Sequence, residues 1–178
     1  MSHPVFTSKL RRTLLWIFLG LTVGATLVLQ GIDKALQNGV APYGIVSYEL
    51  AGSAANAEKI ITSWDAQAQL YAAFSLGFDY FYILVYTITL ALALLWAADG
   101  FSGLWRQIGI IMAWAMGLVG LADALENYFL WQMLAHIPTS LAAQGARGAV
   151  LLKFTLILLA LLYLLIRLLR GLVSLAKT

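Results

Sequence analysis

The sequence predicts an all-α membrane protein: an antiparallel four-transmembrane-helix bundle with both termini cytoplasmic and a short peripheral helix in a long outer loop. Three observations lead there. Of 178 residues, 62% are hydrophobic and 11% charged, with a mean hydropathy of +0.86, a balance that an ordinary soluble domain does not reach. Four segments, roughly 13–31, 70–97, 107–134 and 146–170, are apolar for the length of about 20 residues that a helix needs to cross a hydrocarbon core of about 30 Å. None shows the short alternation of a membrane barrel strand, so the backbone in lipid must be satisfied within helices. Residues 1–178 are read as one integral membrane domain.

The first span follows a basic start, "KLRR", and its Val23 and Ala25 resemble a signal-peptide cleavage site. The apolar run continues through "TLVLQ" to a spanning length, which favours a retained helix. The loop that follows, 32–69, is too long to be structureless by the usual loop lengths. Its stretch "IVSYELAGSAANAEKII" is rich in helix formers and predicts a short helix lying on the membrane. Thr62 and Asp65, three residues apart before the second span, fit a capping box and make Asp65 a helix cap rather than a site residue. Residues 98–105, with Asp99 and Gly100, and 135–145, with Pro138, are short connections that force antiparallel neighbours.

Orientation follows from the basic residues, which cytoplasmic flanks retain. Lys9, Arg11, Arg12, Arg106, Arg167, Arg170 and Lys177 fall on one side, and Lys34, Lys59 and Arg147 on the other. Both termini are therefore placed in the cytoplasm, with the bacterial inner membrane as the expected location. Trp16, Trp96 and Trp105 mark the inner interface, and Trp64, Tyr71, Tyr128 and Trp131 the outer one. The net charge of +3 is then an orientation signal and a contact with anionic headgroups, with no case for nucleic acid.

Polar residues within the spans carry the functional reading. At about 100° per residue, Ser75, Asp79, Tyr82 and Tyr86 fall in an arc of about 60° on the second span. On the third, Gly109, Ala113, Gly120, Asp123 and Asn127 share a face, with Glu126 at its edge. On the fourth, Ala146, Ala149, Lys153 and Ala160 align, and on the first Thr22, Thr26 and Gln30. At about 1.5 Å per residue from the outer ends, Asp79 and Asp123 lie roughly 14 to 16 Å deep, Lys153 about 10 Å, and Glu126 somewhat shallower. Polar groups from four distant segments thus meet in the outer half of the bundle. Three carboxylates face Lys153 there, and Arg147 near the mouth is a second candidate cation. Ionisable groups exposed to lipid cost several kcal/mol, so the cluster must face inward.

Several chemistries are disfavoured. The absence of cysteine removes thiol chemistry, disulfides and thiolate metal sites. His3 and His136 flank the spans on opposite sides, which does not suit a bis-histidine haem. No phosphate loop and no Ser-His-Asp set can be assembled, and no metal or cofactor is expected. Three classes remain. The leading one binds a lipophilic or cationic small molecule at Asp79, Tyr82, Tyr86, Asp123, Glu126, Asn127, Lys153 and Arg147. The second is a structural or assembly subunit whose charges pair internally. The third is an enzyme using one protonated and one ionised acid on a lipid-soluble substrate. Gly20 and Gly24, on the far side of the first span, offer a face for a homo-oligomer or membrane complex.

Overall fold

The computed structural model describes residues 8–175; His3 and Lys177 lie outside them. Its elements are α1 (Ser8–Asp33), α2 (Ile45–Glu49), α3 (Ala54–Ser63), α4 (Ala66–Ala98), α5 (Gly103–Ala135) and α6 (Ser140–Leu175). The chain is an all-helical membrane-type protein in which α1, α4, α5 and α6 are each long and apolar enough to cross a bilayer. The helices overrun the predicted spans by several residues at most ends. At 33 residues, α4 and α5 reach about 50 Å, beyond the hydrocarbon core alone.

Threonines inside the spans satisfy their hydroxyls on their own helix. Thr22 donates to the Phe18 carbonyl, Thr87 to Ile83, Thr89 to Val85 and Thr155 to Leu151, each one turn back. A hydroxyl so occupied can lie in a bilayer without an interhelical partner.

The four long helices form an open arc. The helix α4 packs on both α1 and α5, and α5 packs on α6, whereas α1 and α6 make no comparable contact. Small residues set the close approaches. A side chain at Gly109 would strike the Tyr163 hydroxyl and Ala98, and one at Gly145 would strike the Phe129 ring. Ala113, Ala146, Ala149 and Ala160 are buried, as the predicted faces of the third and fourth spans require. Ala25 is the one buried residue among those described in α1, and Gly20 and Gly24 face open space.

The segment between α1 and α4 differs from a helix lying on the membrane. It breaks at Gly52, whose φ of +68° is a left-handed conformation that favours glycine, into two short helices folded onto one end of the bundle. Leu36, Ala41, Tyr48, Ala57, Ile60 and Trp64 are buried there against Ala72, Leu130, Met133 and Ala143. Trp64 therefore belongs to this plug rather than to an interfacial belt; its indole N–H donates to the Leu36 carbonyl at 2.8 Å. Burial pushes the Tyr48 phenol up, so it stays protonated, and it donates to the Leu130 carbonyl at 2.8 Å. Asp65 is a cap, but in another position than the capping box assigned: it is itself the N-cap of α4 and accepts from Ala68 N at 2.8 Å. Thr62 instead donates back to the Glu58 carbonyl inside α3, which Ser53 caps. Between these helices lies the candidate site.

Candidate functional site

The depth argument from the sequence places Asp123 and Lys153 in the same half of the bundle, and in the fold their side chains meet. Lys153 Nζ donates to Asp123 Oδ1 at 2.7 Å and lies 2.8 Å from Glu126 Oε2. The Tyr86 hydroxyl donates to the other Asp123 oxygen at 2.6 Å, so both oxygens of that carboxylate are occupied. Asn127 Nδ2 donates to Asp79 Oδ2 at 2.7 Å. The Tyr82 ring sits 5.1 Å from that of Tyr86, and its hydroxyl lies 3.3 Å from Thr26 Oγ1, which ties the α4 stripe to α1. The hydroxyls of Thr22 and Thr89 approach to 2.9 Å one level deeper.

These groups line a cavity of about 510 Å3 between α1, α2, α4, α5 and α6. Its volume falls in the range of small-molecule sites. Along α4 it runs from Ser75 to Leu90, about 22 Å by helix rise. The wall is graded. Asp33, Glu49 and Asp79 stand toward the plugged end, while Leu19, Leu90 and Ile157 line the middle of the bundle. Because α1 and α6 do not close on each other, the side of the cavity walled by Leu19, Leu29, Phe154 and Ile157 lies at the gap in the arc.

Six of the eight predicted residues, Asp79, Tyr82, Tyr86, Asp123, Asn127 and Lys153, line this one cavity. Glu126 stands behind it, fully buried and held by Lys153. Arg147 is not in the cluster. It is exposed, and its guanidinium lies over Gly52 at the junction of α2 and α3, where it covers the bend in the plug. Arg147 is therefore not a second cation of the cluster, and Glu126 pairs with Lys153.

Sequence reasoning missed Glu49. It sits in the loop, and only the folding of α2 into the end of the bundle brings its carboxyl beside Glu126 and near Lys153. Burial pushes the Glu49 carboxyl above the usual carboxylate range; Lys153 pulls it down, Asp123 pushes it up, the contact with Glu126 lowers it, and Asp33 raises it again. The position of α2 is set by Asp33, which accepts from Ile45 N at 2.7 Å and packs against Gly44, a residue at φ +54° with no room for a side chain. A signal was present: Glu49 is the one acid between Gly44 and Gly52, in a segment otherwise apolar or small.

The local charge is unbalanced. Asp33, Glu49, Asp79 and Asp123 line the cavity and Glu126 adjoins it, against the single ammonium of Lys153. Lys153 occupies the place between Asp123 and Glu126 that a metal ion would need, and no group of three or more metal-ligating side chains is found among the described residues. What the arrangement can do is accept positive charge at one end of a long cavity and hydrocarbon at the other. The fold and site define a class, a helical membrane-type protein with four long apolar helices and an acid-lined cavity between them. No known protein family, curated protein or solved structure matches the chain.

Proposed function

We propose that the protein binds an amphiphile with an ammonium head, taken from the bilayer through the gap between α1 and α6. The observation that carries this reading is the excess of acids over cations at one end of a cavity whose far end and open side are mainly apolar, with the Thr22 and Thr89 hydroxyls paired to each other. Asp79 and Glu49, which Lys153 does not touch, seat the head, and the faces of Tyr82 and Tyr86 add the attraction of aromatic rings for a quaternary cation. The chain of the ligand runs along Leu19, Leu90 and Ile157. Lys153 holds Asp123 and Glu126 in register and keeps them from repelling each other. The basic residues at the free ends of α1 and α6 support the N-in, C-in orientation, which puts the plug and the acid-rich end of the cavity on the outer side. The open Gly20 and Gly24 face suits a second helix from a copy or partner.

The test uses three single-chain amphiphiles of equal length in mild nonionic detergent: dodecyltrimethylammonium, dodecanol and dodecanoate. At a hundred times its dissociation constant a ligand stabilises by about 2.7 kcal/mol, which for a chain of this length raises the melting temperature by roughly 5–10 °C. The ammonium alone is expected to do so, and Asp79→Asn to abolish the rise. Equal shifts with the alcohol and the ammonium, or none with the ammonium, would overturn the reading.

A further inference from the structure

The pair of acids contributed by α2 and α5 has a feature that the binding reading does not use. Glu126 is fully buried, and neither of its carboxyl oxygens has a hydrogen-bond donor. Its 2.8 Å approach to Lys153 is an ion pair without hydrogen-bond geometry. Glu49 Oε2 is likewise buried and without a donor. The two carboxyl groups are within hydrogen-bonding contact of each other. An ionised carboxylate can only accept, so two ionised groups in contact would repel and leave all three oxygens unsatisfied; a single proton between them supplies the missing donor.

We propose that Glu49 and Glu126 share one proton in the empty site, and that a bound ammonium head takes its place, so that the protein exchanges one proton for each cation it binds. This rests on the ammonium reading above. The surroundings favour the exchange. The carboxyl groups of Asp33 on α1, Asp79 on α4 and Asp123 on α5 all lie near Glu49, and Lys153 on α6 is the one cation among them. The Lys153 ammonium is already committed to Asp123 and Glu126, and it cannot neutralise Glu49 as well. Burial and these neighbouring acids keep the Glu49 carboxyl above its ordinary range, as a proton-holding group requires. When a cation seats beside Glu49, its charge does what the proton did. The carboxyl O–H bond breaks, the proton passes to water, and the carboxylate and the ammonium form an ion pair. No other bond changes, and the net charge of the site is the same before and after. The exchange gives selectivity: an uncharged amphiphile of the same length offers no replacement charge, so the proton stays and the head finds no partner.

The measurement is titration calorimetry of the purified protein with dodecyltrimethylammonium, whose own charge does not titrate, in two buffers of different ionisation enthalpy. Close to one proton released per bound ligand is expected near neutral pH, with affinity rising about tenfold per pH unit while the pair is protonated. Glu49→Gln, which loses one of the two seats, is expected to bind more weakly through Asp79, with release near zero and with little pH dependence, and its melting curve shows whether it is folded. Binding without proton release, or release undiminished in folded Glu49→Gln, would overturn the exchange and leave the ammonium reading intact. Absence of any binding to the wild type would overturn both.

Discussion

Replacing Lys153 by methionine removes the one cation of the cluster while keeping its length and apolar stem. The side chain is 9% exposed and makes contacts of 2.7 and 2.8 Å with two carboxylates that are themselves 4% and 0% exposed, so water cannot take over its role. Deleting one partner of a buried ion pair costs about 3–5 kcal/mol, because it strands the other charge. At about 2–4 °C per kcal/mol for a chain of this size, the expected fall in melting temperature in detergent is roughly 10 °C. Asp123→Asn in the same chain removes one of the two stranded charges, and its amide oxygen can still accept from the Tyr86 hydroxyl. The double variant should therefore recover part of the loss, with a coupling energy of at least about 1 kcal/mol in the double-mutant cycle. Strict additivity of the two substitutions would refute the pairing and, with it, the placement of α6 against α5 at this level.

Other substitutions separate a functional cluster from a purely structural one. Asp79→Asn keeps an acceptor for Asn127, and Glu126→Gln supplies an amide donor where Glu126 and Glu49 have none; each should hold or raise the melting temperature while lowering retention of an ammonium ligand. Loss of stability in both with ligand retention unchanged would speak for a structural role. The raised Glu49 carboxyl means that the folded state holds a proton that the unfolded chain has already lost, between the ordinary carboxylate range and the raised value. The associated stability is complete below that window and is lost as pH rises through it, so ligand-free protein should melt lower with rising pH, with a flatter profile in Glu49→Gln. A wild-type slope identical to that of the variant would count against it. For orientation, single cysteines at the exposed positions Glu58 and Ser102, at opposite ends of the bundle, can be probed on intact cells with a membrane-impermeant thiol reagent. Labelling at position 58 alone is expected, and labelling at 102 alone would invert the topology.

The sequence revealed the spans and the faces, because both are periodic. A helix in lipid must be apolar for its full length, and a polar residue within it must turn inward, so counting at 100° and 1.5 Å per residue was enough to bring Asp79, Asp123, Asn127 and Lys153 to one cavity. The plug was not legible in the same way. Its burial depends on tertiary contacts such as Tyr48 with Trp64, whose rings meet edge to face at 5.5 Å, and on two glycine bends that carry no periodicity. Hence Glu49 went unseen, and Trp64 looked interfacial. Arg147 was misplaced for a related reason. Its level on α6 suited the cluster, but the plug lies against that part of the helix and draws its guanidinium over Gly52. The gap between α1 and α6 also escaped, since no single helix records which of its neighbours is missing.

Native mass spectrometry of the protein released from mild detergent, wild type beside Asp79→Asn, addresses the binding claim without choosing a ligand beforehand. The wild type is expected to carry one small amphiphile whose fragments reveal a positively charged nitrogen head. The same mass should be absent from Asp79→Asn at an unchanged melting temperature. A wild-type chain that flies free of any small molecule, or a bound lipid that Asp79→Asn retains in equal amount, would contradict the acidic cavity as the seat of an ammonium.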